Sequence, residues 1–460
     1  MAKQIFYLVL VFVAAELYCI YAPFNGPHVD EALSIEIGTY LLKGGDLQAT
    51  EFLETLNGSP FAWPLFSAIG FMAGGIEGAD LMALGFAVLT LVMLSKAVTN
   101  LWNAQVATWA TLGLAANGQF IRLGHFAVYD SLSLACLSVS FFSLTQYAKD
   151  KQRSWIILAA MAIAMAAFAK YPYGVMLFPL SALLITLSTR DVVVGNVGTF
   201  LLASTFSIGL CIFLLFGSLE PSSFAAYAPK GRGYLVNILF QLIYLGPPFI
   251  LVLQGYRLAR ESREAQVCAV LLATLFLWPM AHVMTNSDTS GDKHVLMGYL
   301  FAYPLVGLAL SHLWQSRRRY LTMIWVAGIV IWGLSSAYVN ELIWPDIRPA
   351  AVYLSQHLEA GDHLFAPDQP RGFRLFLQGE GHEDIQLNGL GHHDVCAYTW
   401  IVSYEPKGSD TALKEDLGSC DAHRLVFSEP RRMITIRNGV IGVYEDGYHV
   451  YRNTESGRVP

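Results

Sequence analysis

The sequence has little charge. Asp, Glu, Lys and Arg together make up 14% of 460 residues, where an ordinary soluble domain carries about 25%. Too few charged side chains are present to clothe a soluble protein of this length, and the mean hydropathy of +0.45 agrees. A basic surplus is also missing. Lys and Arg number 29 against 35 Asp and Glu, a net charge of −6, so nothing suggests a nucleic-acid partner. No Walker loop, no Rossmann glycine pattern after a strand and no nucleophile elbow occur, which leaves ATP-driven transport by this chain alone unsupported. Cysteines are few. Cys19, Cys136, Cys211 and Cys268 sit in apolar runs and read as inert filling. Cys396 and Cys420 lie in the polar tail and are candidates for a disulfide if that tail is extracytoplasmic. Long apolar runs stop near Tyr338.

What is present before Tyr338 is a series of apolar segments of span length, near 5–22, 79–101, 104–121, 131–148, 155–170, 172–188, 192–216, 234–256, 266–284, 295–313 and 320–338. The first has Lys3 ahead of it, but no small-residue cleavage pattern follows and Glu16 interrupts it. It reads as a retained helix, not a signal peptide. A further stretch, Pro60–Met72, is shorter and bracketed by Pro and Gly. Its status decides the topology. If it is re-entrant or interfacial, the basic loops at 149–153, 188–190, 256–263 and 316–320 all fall on the side of Lys3, the cytoplasm. Counted as a span, it sends all four outside. The first choice gives eleven spans, with the N-terminus in and the C-terminus out. The expected class is an all-α polytopic membrane protein in the cytoplasmic membrane. Residues 1–343 form the membrane domain, with a first outer loop at 23–78, and 344–460 form a small α/β extracytoplasmic domain. In that tail, "AAVYLSQHLEAGDHLFAP" reads as helix, Gly turn and strand. "DAHRLVFSEP" and "GVIGVYEDGYHVYR" read as later strands, the second a pair joined by an "EDG" turn. No catalytic motif is evident there.

This topology gathers polar residues on the outer face. Asp30 and Glu31 open an amphipathic segment just after the first span. The plainer reading is a helix start, where acids favour the dipole. Asp130 follows Arg122 and His125 at the outer end of a span, and it too would serve as a helix start. Ionisable groups at membrane depth are costly, however, and usually mark a function or a pairing partner. Lys170 ends fifteen largely apolar residues and is followed by Tyr171, Pro172 and Tyr173. It is either a snorkelling anchor in an aromatic belt or a cation for an interfacial phosphate. Lys230, Arg232 and Lys293 are further candidates for that phosphate, though each alone is commonly a solvated loop charge. The outer histidines His28, His125, His282 and His294 match no compact metal-ligand spacing.

The order of these pieces resembles the GT-C glycosyltransferases, in the bacterial branch related to protein O-mannosyltransferases and the lipid A aminoarabinose transferase. The resemblance covers about residues 5–340. It is carried by "HVDEALSIEIGTYLLKGGDL", "NGSPFAWPLFSAIGF", "RLGHFAVYDSLSLACLSVSFF", "AAFAKYPYGVMLFPL" and "SGDKHVLMGYLFAYPLVGLAL". There are departures. "SPF" replaces a twin proline, Asn57–Ser59 stand where a lysine is often found, and Tyr171 follows Lys170 where glycine is common.

The resemblance implies a sugar donor linked to polyprenyl phosphate and an acceptor hydroxyl on the outer face of the membrane. The acceptor would be a glycan, a lipid or a protein. Transfer would invert the anomeric carbon. Asp30 would be the general base, Glu31 would position it, and Asp130 would orient the acceptor, the sugar or Arg122. Lys170, Arg122, Lys230, Arg232 and Lys293 would hold the donor phosphate. His28, His125, Tyr171, Tyr173 and His294 would line the cavity. No cofactor is required, and a divalent metal is optional. The competing reading from another class is a transporter of a polyprenyl-linked glycan or a noncatalytic subunit of an envelope-glycan assembly. Only Glu16 in the first span suggests a proton-coupled mode.

Overall fold

A computed structural model describes residues 2–21, 29–45, 61–216, 234–260, 264–285, 291–316, 318–343, 346–366, 370–379, 381–382, 386–388, 398–406, 423–437 and 440–453. His28, Lys230, Arg232, Cys396 and Cys420 lie outside these residues. Two compact units form. One comprises Met1–Ile20 and Ile37–Ala337, the other Tyr21–Glu36 and Tyr338–Pro460.

The first unit is helical, as it must be where no water can pair backbone groups. Its helices are α1 (Ala2–Tyr21), the latter part of α2 (Val29–Leu42), α3 (Trp63–Leu101), α4 (Ala104–Ala115), α5 (Gly118–His125), α6 (Tyr129–Asp150), α7 (Ser154–Ala169), a 3-10 turn (Tyr171–Met176), α8 (Leu177–Leu187), α9 (Val193–Phe216), α10 (Tyr234–Leu245), α11 (Pro248–Ala259), α12 (Ala265–Thr285), α13 (Gly291–Gln315) and most of α14 (Arg319–Ile343). Among the described residues, seven helices are long and apolar enough to cross a membrane, and the chain is a multi-pass membrane protein. Every expected span is helical, but three are broken. Asn117 accepts from the amides of Gln119 and Phe120 with its side chain and so starts α5, splitting 104–121. Gly246, at φ +52, and Pro247 split 234–256. In 172–188, a 3-10 turn around Pro172 precedes α8.

The segment Pro60–Met72 is not a separate span. The helix beginning at Trp63 departs from helical geometry at Gly74 and Gly75, where Gly75 has φ +67 and ψ −152. Beyond this point the chain doubles back. A Cβ on Gly70 would lie 2.5 Å from the carbonyl oxygen of Gly78, and the Phe66 and Phe86 rings meet at 5.4 Å. Residues 63–73 thus form about 16 Å of helix, roughly half the thickness of a bilayer core. They pack antiparallel on the following span through backbone contact that only glycine allows. At that length the stretch is too short to be a span of its own.

Burial differs sharply between helices. α13 is almost wholly enclosed and α6 largely so, whereas α1, α9 and α14 present most of their apolar surface outward, as lipid-facing helices do. Large side chains fill the centre, including Phe141 of α6 against Phe301 of α13 at 5.0 Å between ring centroids. Asn117 donates to the Tyr303 hydroxyl at 2.9 Å, which satisfies two buried polar groups at once.

In the second unit a five-stranded sheet has the order β2-β1-β3-β5-β4, with β1 His363–Phe365, β2 Gln386–Asn388, β3 Trp400–Pro406, β4 His423–Arg437 and β5 Val440–Asn453. β1 is parallel to β2 and β3, and the other pairs are antiparallel. Helices α15 (Arg348–Ser355) and α16 (Pro370–Gly379) supply Ala351, Leu354, Phe373 and Leu377 to a core with Leu364, Trp400 and Val402. The alternate residues Phe365 and Ile401 pack on the opposite face with Tyr398, the period of two that a strand imposes. One expectation fails here. "EDG" is not a turn: β5 runs unbroken through Glu445, Asp446 and Gly447, which pair with β4 on one side while Asp446 and Gly447 pair with β3 on the other. A ladder on both sides outweighs the local turn propensity. The reversal falls instead between Arg437 and Val440, which are register partners. Asn438 and Gly439 connect them in sequence, the dipeptide that two-residue hairpins favour.

Candidate active site

Asp130 sits in the first turn of α6, where the free amide groups favour an anion. Lys170 caps the C-terminus of α7 in an extended conformation, φ −148 and ψ 114; Pro172 has no N–H for the Phe168 carbonyl and its ring would clash there, so the α-helix stops ahead of it. These two helix ends meet. The Lys170 ammonium donates to both carboxylate oxygens of Asp130 at 2.8 Å, and the side chains are only 8% and 2% exposed. The Tyr173 hydroxyl, brought round by the 3-10 turn, donates weakly to the Asp130 carboxylate at 3.3 Å.

A third helix start joins them. Lys293 and His294 lie in the first turns of α13, and both act electrostatically on Asp130. Two ammonium groups therefore bear on one carboxylate. His294 is buried and its Nδ1 is 2.8 Å from Nε2 of His282 on α12. One nitrogen of this contact carries the proton and the other accepts it, so the two tautomers are tied together. Trp278 covers His294 at 4.6 Å between ring centroids.

Arg122 and His125 belong to the neighbouring α5. The Arg122 guanidinium is buried and lies 5.4 Å from the centre of the Phe126 ring. Ser131 of α6 donates to the Leu123 carbonyl at 3.0 Å and fixes α5 against the start of α6. His125 Nδ1 is 2.7 Å from a carboxylate oxygen of Glu16, the buried acid of α1. Tyr171 is half-buried in the turn after Lys170. The structure thus joins Asp130, Lys170, Tyr173, Lys293 and His294 in one cluster, while His125 pairs with Glu16. The pairing roles of His282 and Glu16 were missed. The only signal for them was that each is a polar residue in an apolar run near a helix end on the expected outer side.

Asp30 and Glu31 belong to the second unit. They occupy the first turn of α2, Asp30 half-buried and Glu31 buried. Ser34 donates to the Asp30 carbonyl at 2.7 Å. Glu36, about one and a half turns further on, is bound by Arg371 at 3.4 Å and also by Arg374, both on α16. These bonds tie the acidic helix start to the C-terminal domain of that unit.

Elsewhere in the first unit a cavity of about 810 Å³ opens among Gln4, Trp109, Trp314 and Arg319. It lies at the far end of α13, roughly 33 Å along the helix from Lys293, and has no part in the cluster.

No protein-family model matches the chain, and no curated protein sequence does. Two crystal structures do share its fold, both of ArnT from Cupriavidus metallidurans. The structure bound to undecaprenyl phosphate has a TM-score of 0.63, and the apo structure 0.64. Each is 14% identical and covers 98% of this chain and 99% of its own. A structure of the Archaeoglobus fulgidus oligosaccharyltransferase gives a TM-score of 0.48 at 10% identity, covering 87% of this chain and 69% of its own. The chain has the GT-C fold implied by the resemblance in its sequence.

Proposed function

We propose that this chain is a membrane glycosyltransferase that moves a sugar from a polyprenyl-phosphate donor to an acceptor hydroxyl on the extracytoplasmic face. One observation carries the reading. The buried Asp130–Lys170 pair lies where the ends of α6 and α7 meet, with the half-buried Lys293 of α13 bearing on it through space, in a fold shared with a protein crystallised with undecaprenyl phosphate.

In the proposed reaction the acceptor oxygen attacks the anomeric carbon. Its proton passes to the Asp30 carboxylate, and the bond from that carbon to the donor phosphate breaks. The electron pair leaves on the phosphate oxygen, and polyprenyl phosphate is released with inversion at carbon. A phosphate monoester is already a good leaving group, so no strong acid is needed. Positioning and general-base catalysis carry the step. The charge that develops on the phosphate is met by Lys170 and Lys293, with Arg122, Lys230 and Arg232 as further proposed contacts. An ammonium has three donors, and Lys170 gives Asp130 two hydrogen bonds. A phosphate oxygen takes the third. Glu31 positions Asp30, and Tyr171, Tyr173, His28 and His294 line the cavity. The C-terminal domain is proposed to lie outside the cytoplasmic membrane, with the N-terminus inside.

The test is to give purified protein an extracted polyprenyl-phosphate sugar and membranes from a strain lacking the gene, then identify the product by mass spectrometry. A new glycosylated product and free polyprenyl phosphate are expected, and neither should appear with Asp30→Asn. Equal product from that variant would remove Asp30 as the base. No product from wild-type protein with any donor would remove the reading.

A further inference from the structure

The Glu16–His125 pair has a third member. Cys19 lies one turn after Glu16 on α1, and its sulfur, a Glu16 carboxylate oxygen and a His125 ring nitrogen all fall within 4.8 Å of one another. The three come from two elements, α1 and the end of α5, and so converge through tertiary packing. The acid packs directly against the backbone of α5. A Cβ on Gly124, the residue before His125, would lie 2.6 Å from the Glu16 carboxyl carbon and would push the acid aside.

We propose that Glu16, Cys19 and His125 form a zinc site with three protein ligands and one open position. Oxygen, nitrogen and sulfur donors together suit zinc, which is borderline in softness and takes tetrahedral sets of these types. The ligand atoms of such a set lie about 3.2–3.8 Å apart at ordinary bond lengths. The Glu16–His125 contact of 2.7 Å must therefore open by about half an ångström or more, while the sulfur already stands within 4.8 Å of both. The charge also balances. Two positive charges on the ion meet one carboxylate, one thiolate and a neutral imidazole, so the filled site is neutral. That is the state least costly near the membrane. Cys19 loses its proton on binding, so uptake releases protons. Glu16 stands about 8 Å along the helix from the last residue of α1, and His125, the more accessible of the pair, is 13% exposed.

The three ligands share no residue with the Asp130–Lys170 pair, and zinc binding is read out without reference to transferase activity. The test uses the full chain in nanodiscs, stripped with chelator and reloaded. Wild-type protein is expected to bind about one equivalent of zinc by elemental analysis. With cobalt in its place, a thiolate-to-metal charge-transfer band should appear in the near ultraviolet. Cys19→Ser should lose that band, and His125→Ala should bind at least tenfold more weakly, since even indirect supports of a metal ligand are worth about 10–100-fold. Wild-type protein that shows no cobalt–thiolate band overturns the proposal, whatever the folding of the variants. So does unchanged affinity in both variants.

Discussion

Lys170 holds both carboxylate oxygens of Asp130 at 2.8 Å, and neither side chain reaches more than 8% exposure. The pair joins the start of one span to the end of the next and is supported by Tyr173. Its two members depend on each other. A buried ammonium or carboxylate is tolerable only with its partner, so either alone would be an uncompensated charge in an apolar bundle. The same bond fixes the place at which a donor phosphate is proposed to meet the protein.

Loss of one partner should therefore cost more than loss of both. Lys170→Met or Asp130→Asn alone should destabilise the protein by about 3–5 kcal/mol, the usual effect of orphaning a buried charge. The double variant should recover part of this. Unfolding of purified protein in detergent, run as a double-mutant cycle, measures the coupling. Simple additivity of the two single effects would show that the contact contributes nothing.

A different signature is expected of Asp30. Asp30→Asn should lower turnover about 10²–10⁴-fold, the range of a lost general base. Binding of polyprenyl-phosphate donor and the melting temperature should stay near wild-type. Glu31 is buried, so Glu31→Gln should reduce both turnover and stability. Single-turnover kinetics beside a donor-binding titration separate the two effects. A Glu31 variant that loses turnover as completely as the Asp30 variant, with stability intact, would transfer the base to Glu31.

Much of this architecture was legible in the sequence, for a physical reason. Hydropathy marks spans because lipid permits few alternatives, and the short run bracketed by Pro and Gly is set apart by its length and by the break at Gly74–Gly75. Residues that break helices were harder to read. Asn117 acts as a cap and Gly246–Pro247 as a break, each a local interruption of a few residues that a span-length hydropathy average smooths over. The "EDG" error has the opposite cause: Glu445–Gly447 carry turn propensity, but two strand partners overrule it. In the site, Asp130 and Lys170 were both singled out, yet their mutual bond was not. A contact across 40 positions depends on how two helix ends meet, and no local pattern records that. Glu16 reads in the sequence as an interruption of the first span and a hint of proton coupling, not as a partner of His125, because the two are 109 residues apart.

Lys293 should contribute to donor affinity more than to fold. It is half-buried at the start of α13 and bears on Asp130 through space. Lys293→Ala should weaken binding of polyprenyl phosphate roughly tenfold to a hundredfold, equivalent to about 1.5–3 kcal/mol for one charge-assisted contact. Arginine in its place should restore most of the affinity. Competition of polyprenyl phosphate with a labelled donor gives the value. An unchanged affinity in Lys293→Ala would take this residue out of the phosphate site.

The reversal at Gly74–Gly75 offers a test of the fold itself. Gly75 adopts φ +67 with ψ −152, a region that is essentially closed to residues with a Cβ and costs of order 1–3 kcal/mol when forced. Gly75→Ala should destabilise by that amount even though an added methyl there meets nothing closer than a Glu77 carboxylate oxygen at 3.4 Å. Gly74 has open space around it and a negative φ, so Gly74→Ala should cost much less. The contrast isolates backbone strain from crowding. Gly78→Ala separates the third possibility, because its Cβ would strike the Gly70 backbone and push the short helix off the span. That variant should loosen residues 63–73 selectively, seen as faster hydrogen exchange there than in α6 or α13. Equal effects from Gly74→Ala and Gly75→Ala would mean that the chain does not turn at Gly75 as described, and the half-length helix would have to be reassigned as a continuous span.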